Sequence, residues 1–230
     1  TVRVSRAAAD QRSGRAGRTE PGVCYRLWDE PETQGLIPFA DPEIKSADLS
    51  GLVLDCAEWG TADPRTLAWL DPPAEGIIAA TRSELQTIGA LDDAGHITGE
   101  GKRIRALPLP PRLARMIIDA AAIGAGTRAA EIAAILVERG IGGNDLDLAT
   151  RVENFRRDRG RRSSDLKRLA QDWARRAAPA RKAAVSSVPH SDAAVLALAY
   201  PDRIGKARGA PGQFLLANGR AAQIDPTHPL

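Results

Sequence analysis

Between residues 11 and 18 the sequence reads Gln11-Arg12-Ser13-Gly14-Arg15-Ala16-Gly17-Arg18, with polar or cationic groups recurring every three or four positions. If this segment starts a helix, Gln11, Arg15 and Arg18 project from one face. Glycine lacks a Cβ and tolerates the close approach of a phosphate, and guanidinium groups stay charged and hydrogen-bond phosphate oxygens in pairs. The stretch therefore predicts a polyphosphate-binding segment, and the alternative is a solvated basic helix start.

The pattern Gln-Arg-x-Gly-Arg-x-Gly-Arg resembles motif VI of superfamily 2 helicases, in the form typical of DEAH-box proteins. In that family the motif lies on the second RecA-like domain and faces ATP bound to the first. The resemblance implies that Gln11 helps to position the attacking water and that Arg15 and Arg18 act as arginine fingers on the γ-phosphate. It also implies that Arg12 holds the loop and that Gly14 lies among the residues that contact the nucleotide.

Length, composition and charge limit the number of domains and the kinds of site that the chain can contain. A chain of 230 residues with a net charge of +3 suggests one or two domains and is not a polycation. Cys24 and Cys56 show no ligand or framework spacing, which predicts two buried free thiols in a reducing cytoplasm. The three histidines share no ligand spacing, so no metal site is predicted, and no apolar run is long enough to span a membrane. Because residue 1 is not Met and residues 1–4 read as a strand end, we expect a piece of a longer protein.

Residues 1–39 fit the C-terminal end of the second RecA-like domain. The apolar side chains at 23, 25 and 27 alternate, which predicts a strand over Val23–Trp28 after a turn at Pro21-Gly22. About forty residues cannot form a self-sufficient core of this kind, so we expect them to pack against neighbouring domains or to fray. The acidic stretch at 29–32 is expected to be a plain loop.

Residues 40–107 predict helices followed by a hairpin, the order of a winged-helix domain. Helices are expected after Pro42, from Asp63-Pro64 through Leu70, and from Pro72-Pro73 to Gly89, with a hairpin over 90–97 and a helix capped by Thr98. Arg82 is the one cation of the third helix, which favours a packing role over groove reading. A winged helix directly follows the second RecA-like domain in the DEAH family, and a stand-alone nucleic-acid-binding winged helix is the alternative.

Residues 108–205 predict a helical bundle after a stiff proline connector at 108–111. Five helices are expected from their apolar stripes, with Thr127 and Ser191 as caps and Leu169 among the core residues. The position matches the ratchet domain of DEAH helicases, which lies along the exiting strand. The alternative is a non-catalytic scaffold that uses the bundle for protein contacts.

Residues 151–182 carry twelve cationic side chains against four acidic ones, a local net charge of +8. Such a patch attracts a polyanion backbone without sequence preference. We therefore predict single-stranded RNA or DNA binding by Arg156, Arg157, Arg161 and Arg162, with a solvated face held by internal ion pairs as the equal alternative.

Residues 206–230 predict a hairpin at Asn218-Gly219, and the family resemblance implies the start of a small β-barrel of OB type. The stretches 198–203 and 215–220 resemble those of bacterial HrpB-type helicases. The expected fold class is therefore mainly α, with the end of an α/β RecA-like domain, a winged helix, a ratchet-like bundle and the start of a β-barrel.

The chain contains neither a Gly-x-x-x-x-Gly-Lys-Ser/Thr phosphate loop nor an Asp-Glu-Ala-His box. The resemblance implies an ATP-dependent nucleic-acid helicase as the parent protein; it favours RNA as the substrate and leaves DNA open. ATP and Mg²⁺ would then be held mainly by upstream RecA-like domains, and these residues alone are expected to be inactive.

Overall fold

The computed structural model describes residues 3–179 and 191–227, and its architecture is mainly helical. The helices are α1 (Arg6–Ser13), α2 (Glu30–Gln34), α3 (Ser50–Glu58), α4 (Glu75–Thr87), α5 (Gly99–Arg105), α6 (Pro111–Ala122), α7 (Gly126–Val137), α8 (Leu148–Arg157), α9 (Arg161–Ala177) and α10 (Asp192–Ala199). Short 3-10 helices span Glu43–Lys45, Pro64–Thr66 and Pro201–Arg203, and the strands are β1 (Gly205–Ala207), β2 (Gln213–Leu216) and β3 (Ala221–Gln223).

The chain divides into two compact units. The first contains the described residues up to Asp48 together with Ala68–Glu75, and the second contains Leu49–Leu67 together with the described residues from Gly76 onwards. The predicted four-part division of the chain into domains stays a prediction.

In the first unit, α1 is anchored at its N-terminus. The Ser5 hydroxyl accepts a hydrogen bond from Ala8 N, and the carbonyls of Ile37 and Pro38 accept from the backbone N–H groups of Arg6 and Ala7. These contacts satisfy the donors that the first turn of a helix leaves free. Ala9 and Leu36 are buried in this unit, so α1 is fixed although it is only eight residues long.

The prediction of a strand over Val23–Trp28 is wrong in this structure. Val23, Tyr25 and Leu27 are exposed, and the segment has no regular structure. Cys24 is exposed with them, so the prediction of a buried thiol is wrong there, whereas Cys56 is buried. A strand is defined by hydrogen bonds to a neighbouring strand, and no described residue pairs with this segment. The expected loop at 29–32 is also wrong, since Asp29 precedes the short helix α2, whose Thr33 hydroxyl accepts a hydrogen bond from Trp28 Nε1.

The core of the second unit is built by helices of the predicted bundle. In the bundle, α6 packs against α7, α7 against α9, and α10 against both α6 and α7. The stripe of α6 is fully buried, as its 3.6-residue period predicts. The largest bundle side chains that are completely buried are Met116, Ile117, Ile132, Ile135, Val152, Phe155 and Val195. The prediction that Leu169 is a core residue is wrong, because it lies at the edge of the α9 stripe and half of its surface is exposed.

Local signals place most helix ends in this unit. The Thr98 hydroxyl accepts from Gly101 N and the Ser191 hydroxyl from Ala194 N, so both predicted caps are confirmed. The cap predicted at Thr127 is wrong, because α7 already begins at Gly126. The helix expected from Asp63 through Leu70 is a single 3-10 turn over Pro64–Thr66, after which Leu67 is extended.

Between α4 and α5 lies the predicted hairpin, reduced to one antiparallel bridge between Leu91 and Ile97. Residues 205–223 form a three-stranded antiparallel sheet in the order β1-β2-β3, with Phe214 opposite Ala222. The two strands joined at Asn218-Gly219 are confirmed, and β1 was not predicted as part of the sheet. None of the helices within the described ranges is both long and apolar enough to cross a membrane.

Candidate phosphate-binding site and nucleic-acid interface

The predicted phosphate-binding segment lies at the C-terminal end of α1, not at its start. The helix runs from Arg6 to Ser13, and Arg15 and Arg18 follow in the turns beyond it. The prediction that a helical spacing aligns Gln11 with both arginines is therefore wrong. The helix ends here because Gly14 and Gly17 favour helix poorly and the Ser13 hydroxyl bonds back to the Asp10 carbonyl.

Backbone hydrogen bonds fold residues 14–16 into consecutive turns. Gly14 N donates to Asp10 O, Arg15 N donates to Arg12 O at 3.2 Å, and Ala16 N donates to Ser13 O at 3.1 Å. These bonds, with the anchored start of α1, fix where the Cα atom of Arg15 lies, and Arg18 follows in a bend just beyond them.

A residue outside the motif also shapes this turn. A Cβ built on Gly22 would lie 1.8 Å from the Ala16 carbonyl oxygen, far inside any real contact. The turn therefore closes against a position that only glycine can occupy. Pro21-Gly22 predicted a turn in the sequence, but nothing in the sequence indicated that Gly22 supports the motif itself.

The motif side chains are left free within this part of the chain. Gln11, Arg12, Arg15 and Arg18 are exposed, and none of these side chains hydrogen-bonds or ion-pairs with a described residue. By contrast, neighbouring Asp10 is held by Arg26 at 2.5 Å. The Arg12 side chain makes no hydrogen bond or ion pair with a described residue, while its carbonyl accepts from Arg15 N, so the predicted role of Arg12 in holding the loop stays a prediction.

Neither glycine of the motif is packed too tightly to accept a Cβ. A Cβ at Gly17 would meet nothing within 4 Å, and one at Gly14 would meet the Asp10 carbonyl at an ordinary 3.4 Å. Neither glycine has a positive φ. Their small size is therefore not needed for the packing of this unit, which leaves room for a group that approaches from outside.

The donors present fit a polyphosphate but not its metal ion. Three exposed guanidiniums and an amide offer charge-assisted donors to phosphate oxygens. Mg²⁺ requires carboxylate oxygens or phosphate oxygens with water. Within residues 3–179 and 191–227, no group of three or more His, Cys, Asp or Glu side chains is arranged to hold a metal.

The predicted nucleic-acid residues meet where α8 ends and α9 begins. Arg156 donates from Nε and Nη2 to Glu131 at 3.0 and 2.6 Å, and Arg157 pairs with Glu153 at 2.8 Å. Arg162 bonds to the Glu138 carboxylate and to the Arg139 carbonyl. Arg161 is exposed and has no ion pair with any described residue. The structure thus brings the four arginines to one corner of the bundle and gives carboxylate partners to three of them.

Comparison with known proteins gives one consistent result. Over 227 residues, 98% of this chain, the sequence is 37% identical to the ATP-dependent RNA helicase HrpB of Escherichia coli K12. Over half of the chain it is 39% identical to the probable ATP-dependent RNA helicase DHX34 of Mus musculus. No family model matches the sequence.

Solved structures agree. Two crystal structures of E. coli HrpB superpose on the whole chain with a TM-score of 0.73 and 35% identity. The chain spans about a quarter of the length of these relatives, 26% of the E. coli sequence and 27–28% of the crystallised chains. The homologues that match nearly the whole chain are thus HrpB proteins, and its resemblance to DEAH-box ATP-dependent RNA helicases of the HrpB type is confirmed over nearly all of its residues.

Proposed function

We propose that this chain acts as part of an ATP-dependent RNA helicase and supplies Arg15 and Arg18 to the γ-phosphate of ATP bound on an upstream RecA-like domain of the same protein. The proposal rests on the exposure of these two side chains and on their lack of partners among the described residues. Arg15 lies in a turn that an anchored helix and Gly22 hold in place, and Arg18 follows in the bend between that turn and Gly22.

Physical chemistry explains why such arginines would matter. Phosphoryl transfer needs little covalent help, and catalysis depends on stabilising the charge that spreads over the equatorial oxygens. A guanidinium that is already engaged in an ion pair would have to leave its carboxylate first. Arg15 and Arg18 carry no such cost within this part of the chain, and Gln11 at the end of α1 would orient the attacking water.

The remaining parts of the ATP site would come from outside these residues. The sequence has no phosphate loop and no Asp-Glu-Ala-His box, and the described residues offer no carboxylate cluster for Mg²⁺. We therefore propose that ATP and Mg²⁺ are held mainly by the upstream domains and that this chain alone does not hydrolyse ATP.

The test uses the full-length protein with Arg15→Ala and Arg18→Ala. Each variant should lower kcat for ATP hydrolysis by about a thousandfold or more, while the Kd for ATP changes much less. Lys45→Ala is the control, because Lys45 is an exposed cation of the same unit whose side chain makes no hydrogen bond or ion pair with a described residue. Normal turnover in both arginine variants would refute the finger assignment, whereas equal loss in the Lys45 variant would indicate a general charge effect.

A second component of the proposal concerns the strand that the helicase moves. We propose that Arg156, Arg157, Arg161 and Arg162 contact the backbone of single-stranded RNA at the corner between α8 and α9. Replacing all four by Gln should weaken binding of oligouridylate and flatten the dependence of log Kd on log salt by up to about 0.7 per lost phosphate contact. An unchanged slope would show that the patch is only solvated.

The alternative of a groove-reading winged helix has less support. Arg82, the cation of α4, already donates from Nη2 to the Ala94 carbonyl at 3.3 Å and holds the hairpin turn. A recognition helix should instead present free cations. Duplex binding by this region that is abolished by Arg82→Ala would favour the alternative.

A further inference from the structure

The carboxylates that face the basic corner come from two different helices. Glu131 lies on α7 and accepts two hydrogen bonds from Arg156, which is 25 residues further along the chain. Glu138 follows directly after α7 and bonds to Arg162, and Glu153 on α8 pairs with Arg157. Three of the four arginines at this corner are therefore paired with carboxylates, so the surface there carries charges of both signs.

These ion pairs differ in how far solvent screens them. The side chains of Glu131 and Arg156 are 21% and 36% exposed, whereas those of Glu153 and Arg157 are 49% and 76% exposed. A less exposed pair is screened less by water and salt. The hydrogen bonds to Glu131 also raise the pKa of the Arg156 guanidinium above its ordinary value.

A phosphate that approaches this corner meets competition. Each guanidinium carries five N–H donors, but the donors already turned toward a carboxylate are unavailable, and the carboxylate repels the phosphate. Arg161 has no such competitor among the described residues. Binding at the corner should thus depend on how easily each arginine exchanges its carboxylate for a phosphate.

We propose that Glu131 and Glu138 act as attenuators of the basic corner, which hold Arg156 and Arg162 in ion pairs and weaken the binding of a single-stranded polynucleotide. This inference rests on the proposed strand-binding role of the corner. If Glu131 and Glu138 compete with phosphate in this way, the strand binds weakly at this corner and its phosphates exchange rapidly. Arg161, which has no ion pair with a described residue, can bind a phosphate without first leaving a carboxylate.

The experiment measures the Kd of labelled oligouridylate for the full-length protein with Glu131→Gln and with Glu138→Gln. Glutamine keeps the shape of the side chain and removes its charge. Each variant should bind about threefold to fivefold more tightly, in line with the strength of a partly exposed ion pair. The dependence of log Kd on log salt should become steeper, by up to about 0.7 for each arginine released.

Asp55→Asn is the matched control. Asp55 is an exposed carboxylate of α3 that pairs with Arg105 at 2.7 Å, so its replacement changes the net charge of the protein by the same amount at a different place. It should leave Kd within about twofold of the unmodified protein. Equal tightening by this variant would overturn the proposal, because net charge alone would then explain the gain.

Two outcomes separate this inference from the proposed function. If the four-arginine variant binds the strand normally, the strand-binding role itself is wrong. If that variant binds weakly but Glu131→Gln and Glu138→Gln bind no more tightly than the unmodified protein, the role stands and the attenuator proposal is overturned. Should Glu131→Gln lower the midpoint of thermal unfolding, Glu138→Gln decides alone, because Glu138 is 42% exposed and lies beyond the helix end.

Discussion

Gly22 lies so close to Ala16 that a Cβ on Gly22 would be 1.8 Å from the Ala16 carbonyl oxygen and 2.5 Å from its carbon. Both contacts are with backbone, so no side chain can move aside to relieve them. The turn that carries Arg15 therefore has one shape only while position 22 is glycine. A residue outside the motif thus controls the geometry of the proposed finger site.

Gly22→Ala should displace this turn and lower ATP turnover of the full-length protein by about a hundredfold, the typical effect of an ångström-scale misplacement. Gly35→Ala is the control, since a Cβ there meets the Glu32 carbonyl at an ordinary 3.6 Å. Hydrogen exchange of residues 14–22 should rise in the first variant and stay unchanged in the second. Normal turnover with Gly22→Ala would show that the turn is not part of the ATP site.

Two helical glycines of the second unit should respond oppositely to alanine. Gly51 in α3 has open space around its Cβ position, so Gly51→Ala should raise the free energy of unfolding by about 0.5–1 kcal/mol. Gly101 in α5 has the Ala90 carbonyl oxygen 2.1 Å from that position, and Gly101→Ala should destabilise by about 1–3 kcal/mol. Urea denaturation followed by circular dichroism measures both, and a shift of the same sign in the two variants would contradict this reading.

Arg112 of α6 joins three parts of the second unit. It bonds to the Glu84 carboxylate of α4, to the Ala199 carbonyl of α10 at 3.2 Å and to Asp202 at 2.7 Å. Arg112→Ala should lower the free energy of unfolding by about 1.5–3 kcal/mol, toward the lower figure because the side chain is 24% exposed. Arg112→Lys should recover only part of this loss, since an ammonium group cannot reproduce the fork.

The control for Arg112 is Arg103→Ala, which removes an exposed pair with Glu100 on the same helix and should cost no more than about 0.5 kcal/mol. A double-mutant cycle between Arg112 and Asp202 should give a coupling energy above about 0.5 kcal/mol. Equal effects of Arg112→Ala and Arg103→Ala would mean that the three-way contact does not stabilise the unit.

Asp63 gives the stability a defined pH dependence. Its carboxylate accepts hydrogen bonds from the Arg65 side chain and from Arg65 N, which lower its pKa from 3.8 to about 2. A carboxylate with a lowered pKa stabilises the fold above its unfolded pKa and loses this contribution as the pH falls through the folded pKa. The contribution should thus be complete above about pH 5 and decline between pH 3.8 and about 2.

Asp63→Asn tests this dependence. The difference in free energy of unfolding between the unmodified protein and the variant should be constant from neutral pH down to about pH 5 and then shrink as the pH approaches 2. Because the Asp63 side chain is 30% exposed, solvent screening keeps the difference small. A difference that grows on acidification would have the wrong sign for a lowered pKa.

Much of the helical architecture could be predicted from residues alone. The stripe of Leu113, Met116 and Ile117 has the period of a helix, and its burial follows from that period. The caps at Thr98 and Ser191 depend on side chains that bond within three residues of their own position. The turn at Asn218-Gly219 also depends only on residues close in the sequence, because Gly219 adopts φ +82°, which glycine favours.

The family resemblance also rested on local sequence, because motif VI is a continuous run of eight residues. The conformation of these eight residues, however, could not be predicted from their sequence. The helix that carries it begins at a cap six residues earlier and ends at Ser13, so the spacing of Gln11 and the two arginines is set by turns and not by a helical face.

The amino-acid sequence by itself thus determined the helices of the bundle, several of their ends and the kinship with HrpB-type helicases, since these depend on neighbours along the chain. Only the tertiary structure decided that Gly22 closes on Ala16, that Glu131 reaches Arg156 across 25 residues, and that Val23–Trp28 forms no strand. Each of these outcomes depends on which distant group lies within a few ångströms, and residue periodicity contains no such distances.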